Sequence, residues 1–76
     1  MDAPALASTL TLQLALMREL LDEAAGLGQA AEACAKAGNV GKAIEIALDI
    51  EQLTYEVNTL LNAASLMTAS AADSRR

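Results

Sequence analysis

The second half of the sequence carries an uninterrupted helical repeat of apolar residues. From Ala43 to Met67, eight apolar residues follow one another at alternating steps of three and four positions. This spacing puts them on one side of an α-helix, whereas residues that share a face of a β-strand are two positions apart. The repeat therefore predicts a helix over about residues 40–68. The residues of this seam are Ala43, Ile46, Ile50, Leu53, Val57, Leu60, Ala64 and Met67.

The first half of the sequence predicts a second helix, over about residues 8–37, from a similar apolar stripe. Gly26 and Gly28 interrupt it, and each costs about 1 kcal/mol relative to Ala in a helix interior. Because no capping residue lies between them, we expect the helix to continue, with the glycines at a tight helix crossing; a hinge is the alternative. The predicted seam is Leu10, Leu14, Met17, Leu21, Ala24, Gly28, Ala31 and Ala35, widened by Leu20, Leu27 and Cys34.

The four residues Ala37–Val40 predict a tight turn between the two helices. Gly38 can adopt the left-handed conformation that ends a helix, and Asn39 is a favoured N-cap residue. A connection this short makes the helices antiparallel neighbours. The fold expected is therefore all-α, a single domain over residues 1–76 built as an antiparallel two-helix hairpin. Residues 1–7 and 69–76 are expected to be frayed tails.

Composition supports a helical fold over the other classes. Apolar residues make up 54% of the 76 residues, which is too many for a disordered chain. Tyr55 is the one aromatic residue, whereas β-sheets are rich in aromatic and β-branched side chains. Cys34 is the one cysteine and cannot form a disulfide within the chain. A lone cysteine is typical of a reducing compartment, so we expect a cytoplasmic protein.

The charge balance argues against nucleic acid as a partner. Ten acidic residues against five basic ones give a net charge of −5, which repels a phosphate backbone. No run of apolar residues approaches the roughly 20 needed to span a membrane. The apolar N-terminal stretch lacks the basic start of a secretory signal, because Asp2 is acidic. We therefore expect neither a membrane nor a nucleic acid partner.

The sequence offers little material for catalysis or metal binding. It contains no histidine, which removes the usual proton shuttle and the commonest metal ligand. Glu19 with Glu23, and Glu45 with Asp49, are pairs one helical turn apart; we expect solvated carboxylates there, with a weak calcium or magnesium site as the alternative. Cys34 has no activating base and is expected to be a small seam residue. The predictions are no enzyme activity, no cofactor and no metal.

Several large apolar residues fall outside both predicted seams. A two-helix hairpin buries one face of each helix, so the remaining apolar side chains need another partner. We expect the hairpin to complete a four-helix bundle, either as a homodimer or with helices of a partner protein. The predicted interface residues are Leu12, Leu16, Ile44, Leu48, Tyr55 and Leu66.

Two resemblances bear on function. Residues 35–45 resemble the turn of a tetratricopeptide repeat, although no second copy occurs 34 residues away and a repeat array is not expected. As a whole, the acidic, Ala- and Leu-rich hairpin with a glycine in its turn resembles the small co-chaperones of bacterial type III secretion and flagellar export. That resemblance implies an adaptor or co-chaperone that shields an amphipathic helix of a partner. The alternative is a structural homodimer that forms a four-helix bundle.

Overall fold

The chain forms a hairpin of two packed α-helices. We describe it from a computed structural model, in which the backbone is defined for residues 2–74 and the side chains for residues 2–70. Helix α1 spans Ala3–Lys36 and helix α2 spans Val40–Ser74, and no strand occurs among these residues. The molecule is elongated, measuring 58 × 16 × 11 Å along its principal axes. The all-α hairpin predicted from the sequence is confirmed.

Both helices are longer than the sequence predicted. Helix α1 begins at Ala3 rather than near residue 8, because Asp2 caps it: the Ala5 amide donates to Asp2 Oδ1 at 2.8 Å. Pro4 fits the first turn, where its missing N–H is not needed. Helix α2 continues to Ser74 instead of ending near residue 68, since alanine favours the helix even without an apolar stripe. Fraying of the two ends stays a prediction, and Met1, Arg75 and Arg76 lie outside the described residues.

The turn has the predicted chemistry. Gly38 has a φ of 85°, the left-handed conformation that favours glycine. The Asn39 amide donates to the Cys34 carbonyl at 2.9 Å and the Gly38 amide to the Ala35 carbonyl at 3.0 Å, which is the Schellman pattern. Asn39 then caps α2, because its Oδ1 accepts from the Lys42 amide at 3.1 Å. These bonds fix where α1 ends and α2 begins.

The seam of α2 is confirmed along its whole length. All eight predicted residues are buried or half-buried, whereas most of the residues between them are exposed. The buried core of the hairpin, over the residues with described side chains, consists of Ala43, Leu53 and Ala64. Such a small core is what one contact between two helices can produce.

The seam of α1 is displaced from the predicted one. Leu10, Met17, Ala24, Gly28 and Ala31 are half-buried as predicted, but three predicted seam residues are not: Leu14 and Leu21 are 56% and 49% exposed, and Ala35 is exposed. Half-buried residues one position earlier complete the seam, and they include the three that were predicted to widen the stripe. Those residues are Gln13, Leu20, Leu27 and Cys34, and Leu6 extends the same stripe.

The displacement has a physical reason near the turn. There α2 contributes the small side chain of Ala43, so larger residues are needed from α1 to fill the space. Leu27 and Cys34, which were predicted to widen the stripe, supply more volume than Gly28 and Ala35. Cys34 is therefore a half-buried seam residue, as expected of a small apolar side chain.

Helix α1 runs through Gly26 and Gly28 without a break, as predicted. The predicted tight crossing, however, is wrong. A Cβ atom added to either glycine would meet nothing within 4 Å. The packing of α1 against α2 therefore requires neither glycine.

Gln13 provides a test of the displaced seam. It is half-buried, its Nε2 donates to Met67 Sδ at 3.8 Å, and its buried Oε1 has no hydrogen-bond partner within the described part of the chain. Gln13→Leu should therefore raise the free energy of unfolding by about 1–3 kcal/mol, because it removes an unsatisfied acceptor. Urea denaturation followed by circular dichroism measures this. Gln29→Leu, at an exposed position of α1, is the control and should change little; equal effects of the two variants would contradict the displaced seam.

Candidate functional site

One broad side of the hairpin carries an open groove bordered by carboxylates. Its volume is about 420 Å³, and side chains of both helices line it. None of its three glutamates forms an ion pair with the described lysines and arginine, since the two ion pairs of this part of the chain are Glu32–Lys36 and Lys42–Glu45. We call this surface the acidic groove. Its residues are Leu16, Glu19, Leu20, Glu23, Glu56, Thr59 and Leu60.

The groove also shows how the two helices are oriented about their axes. Leu16 and Glu23 flank the α1 seam on the same side on which Glu56 flanks the α2 seam. Each seam has flanking residues on two sides. If the flanking residues of both helices meet on one broad side of the pair, the remaining flanking residues of both helices lie on the opposite broad side. Leu14 and Leu21 of α1 therefore share the second broad side of the hairpin with Leu61 of α2.

This second broad side contains no charged residue at its flanking positions. The residues that flank the seams on this side recur every seven positions along each helix. All of them are exposed except Gly28, which is half-buried. We call this surface the uncharged face. Its residues are Ala7, Leu14, Leu21, Gly28, Ala35, Val40, Ala47, Thr54, Leu61 and Thr68.

The uncharged face is unusual for a chain with this composition. Charged residues make up 20% of the sequence, yet none of those with described side chains occupies the face or a seam. Large apolar side chains that stay exposed on one uncharged side of a molecule are typical of a binding site. The face is therefore the candidate functional site.

Sequence reasoning missed the uncharged face because it assigned Leu14 and Leu21 to the seam. The signal was nevertheless present, since Val40, Ala47 and Leu61 repeat at multiples of seven residues on α2. These positions flank the α2 seam on one side. A search for uncharged flanking positions in both helices would have found the face.

The six predicted interface residues are all exposed, but they fall into separate groups. Leu12 and Leu16 lie one turn apart on α1, where Leu16 lines the acidic groove. On the outer side of α2, Leu48 and Tyr55 line one shallow depression together with Glu51 and Gln52. Ile44 and Leu66 lie one turn before and three turns after these two residues. The participation of all six in an interface stays a prediction.

The carboxylate pairs do not come together into a metal site within residues 2–70. No group of three or more Asp, Glu, His or Cys side chains lies close enough to hold an ion there. Glu45 is 3.5 Å from Lys42, so one carboxylate of the second predicted pair already has a cationic neighbour.

The comparisons with known proteins add no relative. No protein-family model matches the chain, and neither the curated proteins nor the solved structures yield a match. Over the part of the chain that the structure describes, neither helix has a segment both long enough and apolar enough to cross a membrane. The functional argument therefore rests on the surfaces of the hairpin.

The outer residues Leu48 and Tyr55 should be dispensable for folding. Their side chains are 60% and 67% exposed, so replacing both with serine should change the melting temperature little. Leu53→Ser is the matched comparison on the same helix; because Leu53 is only 9% exposed, this change should cost about 2–5 kcal/mol. Thermal unfolding monitored by circular dichroism tests both. Unfolding of the Leu48/Tyr55 double variant at ordinary temperature would contradict their place outside the core.

Proposed function

We propose that this chain is a non-enzymatic protein–protein interaction module, an adaptor or co-chaperone that shields an amphipathic helix of a partner. The observation that carries the proposal is the uncharged face. A helix of the partner would lie along it and contribute the apolar surface that the hairpin lacks. The lone Cys34 favours the cytoplasm as the place of this function.

The energetic gain would come from four side chains in particular. Leu14, Leu21, Val40 and Leu61 are each between 48% and 64% exposed. Complete burial of such a side chain contributes about 1.5–3 kcal/mol, and roughly half of that is still available here. The face would therefore bind chiefly by removing these side chains from water.

Charged residues at the border of the face would set the partner and the register. Arg18 and Glu32 on α1, and Glu51 on α2, lie one helical position outside the uncharged face. A partner helix would have to carry compatible charges along its own edges. Border charges of this kind act mainly by disfavouring wrong partners.

A second candidate function is that of a structural homodimer that forms a four-helix bundle. The width of the uncharged face favours it, because the face extends over both helices of a molecule that is 58 Å long and 16 Å wide. A single helix, with a diameter of about 10 Å, covers less than this width.

Paired serine substitutions test whether the uncharged face is the interaction surface. Leu14→Ser combined with Leu61→Ser should weaken association about tenfold or more, since it removes one large apolar side chain of the face from each helix. Leu12→Ser combined with Leu66→Ser is the control, with one exposed leucine per helix outside the face. Molar mass by light scattering over a concentration series measures self-association. Stronger weakening by the control pair would favour the interface predicted from the sequence.

A photo-crosslinking residue separates the two candidate functions. Placed at position 21 on the uncharged face, it should capture helical segments, while the same residue at position 12 should capture few. Mass spectrometry of the adducts formed in the producing cell identifies the captured chain. A second copy would favour the structural homodimer, and an amphipathic helix of another protein would favour the adaptor. Equal capture from both positions would contradict a function centred on this face.

A further inference from the structure

Side-chain size is unevenly distributed along the uncharged face. The large residues Leu14, Leu21 and Leu61 lie in the half of the hairpin away from the turn. The half nearer the turn has small residues on this face, apart from Val40 at the turn itself. These small residues are Gly28, Ala35 and Ala47.

The antiparallel pairing sets which residues lie at the same height along the hairpin. The helices meet at the turn after Lys36, and at the other end Gln13 Nε2 is 3.8 Å from Met67 Sδ. Counting from the turn at equal rise per residue puts Leu14 level with Leu61 and Gly28 level with Ala47, to within one residue. Leu21 is level with Thr54, halfway between these two heights.

We propose that a second copy of this chain occupies the uncharged face, with its turn at the opposite end of the bundle. The proposal rests on the second candidate function above, the structural homodimer, and specifies how the second copy lies on the same surface. The two-fold axis then crosses the helices at the height of Leu21, so that α1 packs against α1 of the other copy. Leu14 meets the partner's Gly28, and Leu61 meets the partner's Ala47.

The opposite arrangement, with both turns at one end, fits the same face poorly. It would place Leu14 against the partner's Leu61 twice at the open end. Near the turn it would place Gly28 against the partner's Ala47, with space left between them. Crowding of large side chains and empty volume between small ones both destabilise a packed interface. Turns at opposite ends instead put Leu14 against Gly28 and Leu61 against Ala47, and leave Leu21 against its own copy at the axis.

The free space beside Gly28 leaves room for a second chain at this position. Glycine is unfavourable within a helix, and nothing within 4 Å of its absent Cβ explains it inside the hairpin. In the proposed dimer the partner's Leu14 fills this space. Gly28 would then be a site of close approach between chains, the role that the sequence analysis assigned to packing within one chain.

The charge of the chain is also consistent with self-association. Each copy has a net charge of −5, so two copies repel each other unless their contact avoids carboxylates. The uncharged face is the broad side of the hairpin whose flanking positions satisfy this condition, since the other broad side carries Glu19, Glu23 and Glu56. The acidic grooves would then lie on the two outer sides of the bundle.

Two glycine substitutions test the proposed contact. Gly28→Leu and Gly26→Leu both favour the helix, and in neither case does the new Cβ meet another atom within 4 Å. Gly28→Leu should raise the dissociation constant of the dimer about tenfold or more, because the new side chain collides with the partner's Leu14. Gly26→Leu, an exposed position outside the face, should leave that constant unchanged. Sedimentation equilibrium measures both, and a dimer of unchanged affinity in Gly28→Leu would overturn the proposal.

Single cysteine substitutions test how the two copies are oriented in the proposed dimer. In a Cys34→Ala background, Leu21→Cys places two thiols next to each other at the two-fold axis, and air oxidation should link the dimer. Leu14→Cys, on the same face and similarly exposed, should not crosslink to its copy, because about 10 Å of helix rise separates it from the axis. A disulfide requires Cα atoms within about 7 Å. Crosslinking of Leu14→Cys, or a dimer without crosslinking of Leu21→Cys, would overturn the orientation.

The outcomes separate this inference from the proposed function. A chain that stays monomeric at every concentration overturns the second copy as the occupant. If position 21 then still crosslinks to a helix of another protein, the function as an adaptor stands. If neither self-association nor capture from position 21 occurs, the inference and the proposed function both fail.

Discussion

A hairpin of two helices can bury only one stripe of each helix, and every other feature of this molecule depends on that constraint. Helix α1 carries two apolar stripes that share Leu10, Met17, Ala24 and Ala31. Helix α2 can cover only one of them. The stripe with the larger residues beside the turn is buried, and the remaining leucines become surface. The uncharged face is thus a direct consequence of how the two helices rotate against each other.

The parts of the fold that could be predicted from sequence are those that local chemistry determines. Gly38 and Asn39 specify the turn by backbone conformation and capping, whichever residues lie elsewhere. The α2 seam was unambiguous because a single set of residues follows the heptad spacing from Ala43 to Met67. The N-terminal cap by Asp2 is equally local, but an apolar stripe does not reveal it, because a cap residue is polar and precedes the stripe.

The rotation of α1 could not be predicted in the same way, because it depends on how two surfaces fit together. Leu14 and Leu20 are both good seam residues when α1 is considered alone. Only the fit against α2, with small Ala43 near the turn, decides between the two stripes. The candidate site depends on the same fit: Leu48 and Tyr55 are exposed as predicted, whereas Leu14 and Leu21 were predicted to belong to the core and are exposed as well.

Gln13 and Leu14 show most directly that the hairpin is not arranged for its own stability alone. The amide lies in the seam, where its buried Oε1 lacks a hydrogen-bond partner within the described residues, while the neighbouring leucine is 56% exposed. Exchanging the two residues would suit an isolated hairpin better, since it would bury the leucine and solvate the amide. A local arrangement that conflicts with the stability of the single chain is typical of functional surfaces. The exposed position of Leu14 is explained if another chain covers it.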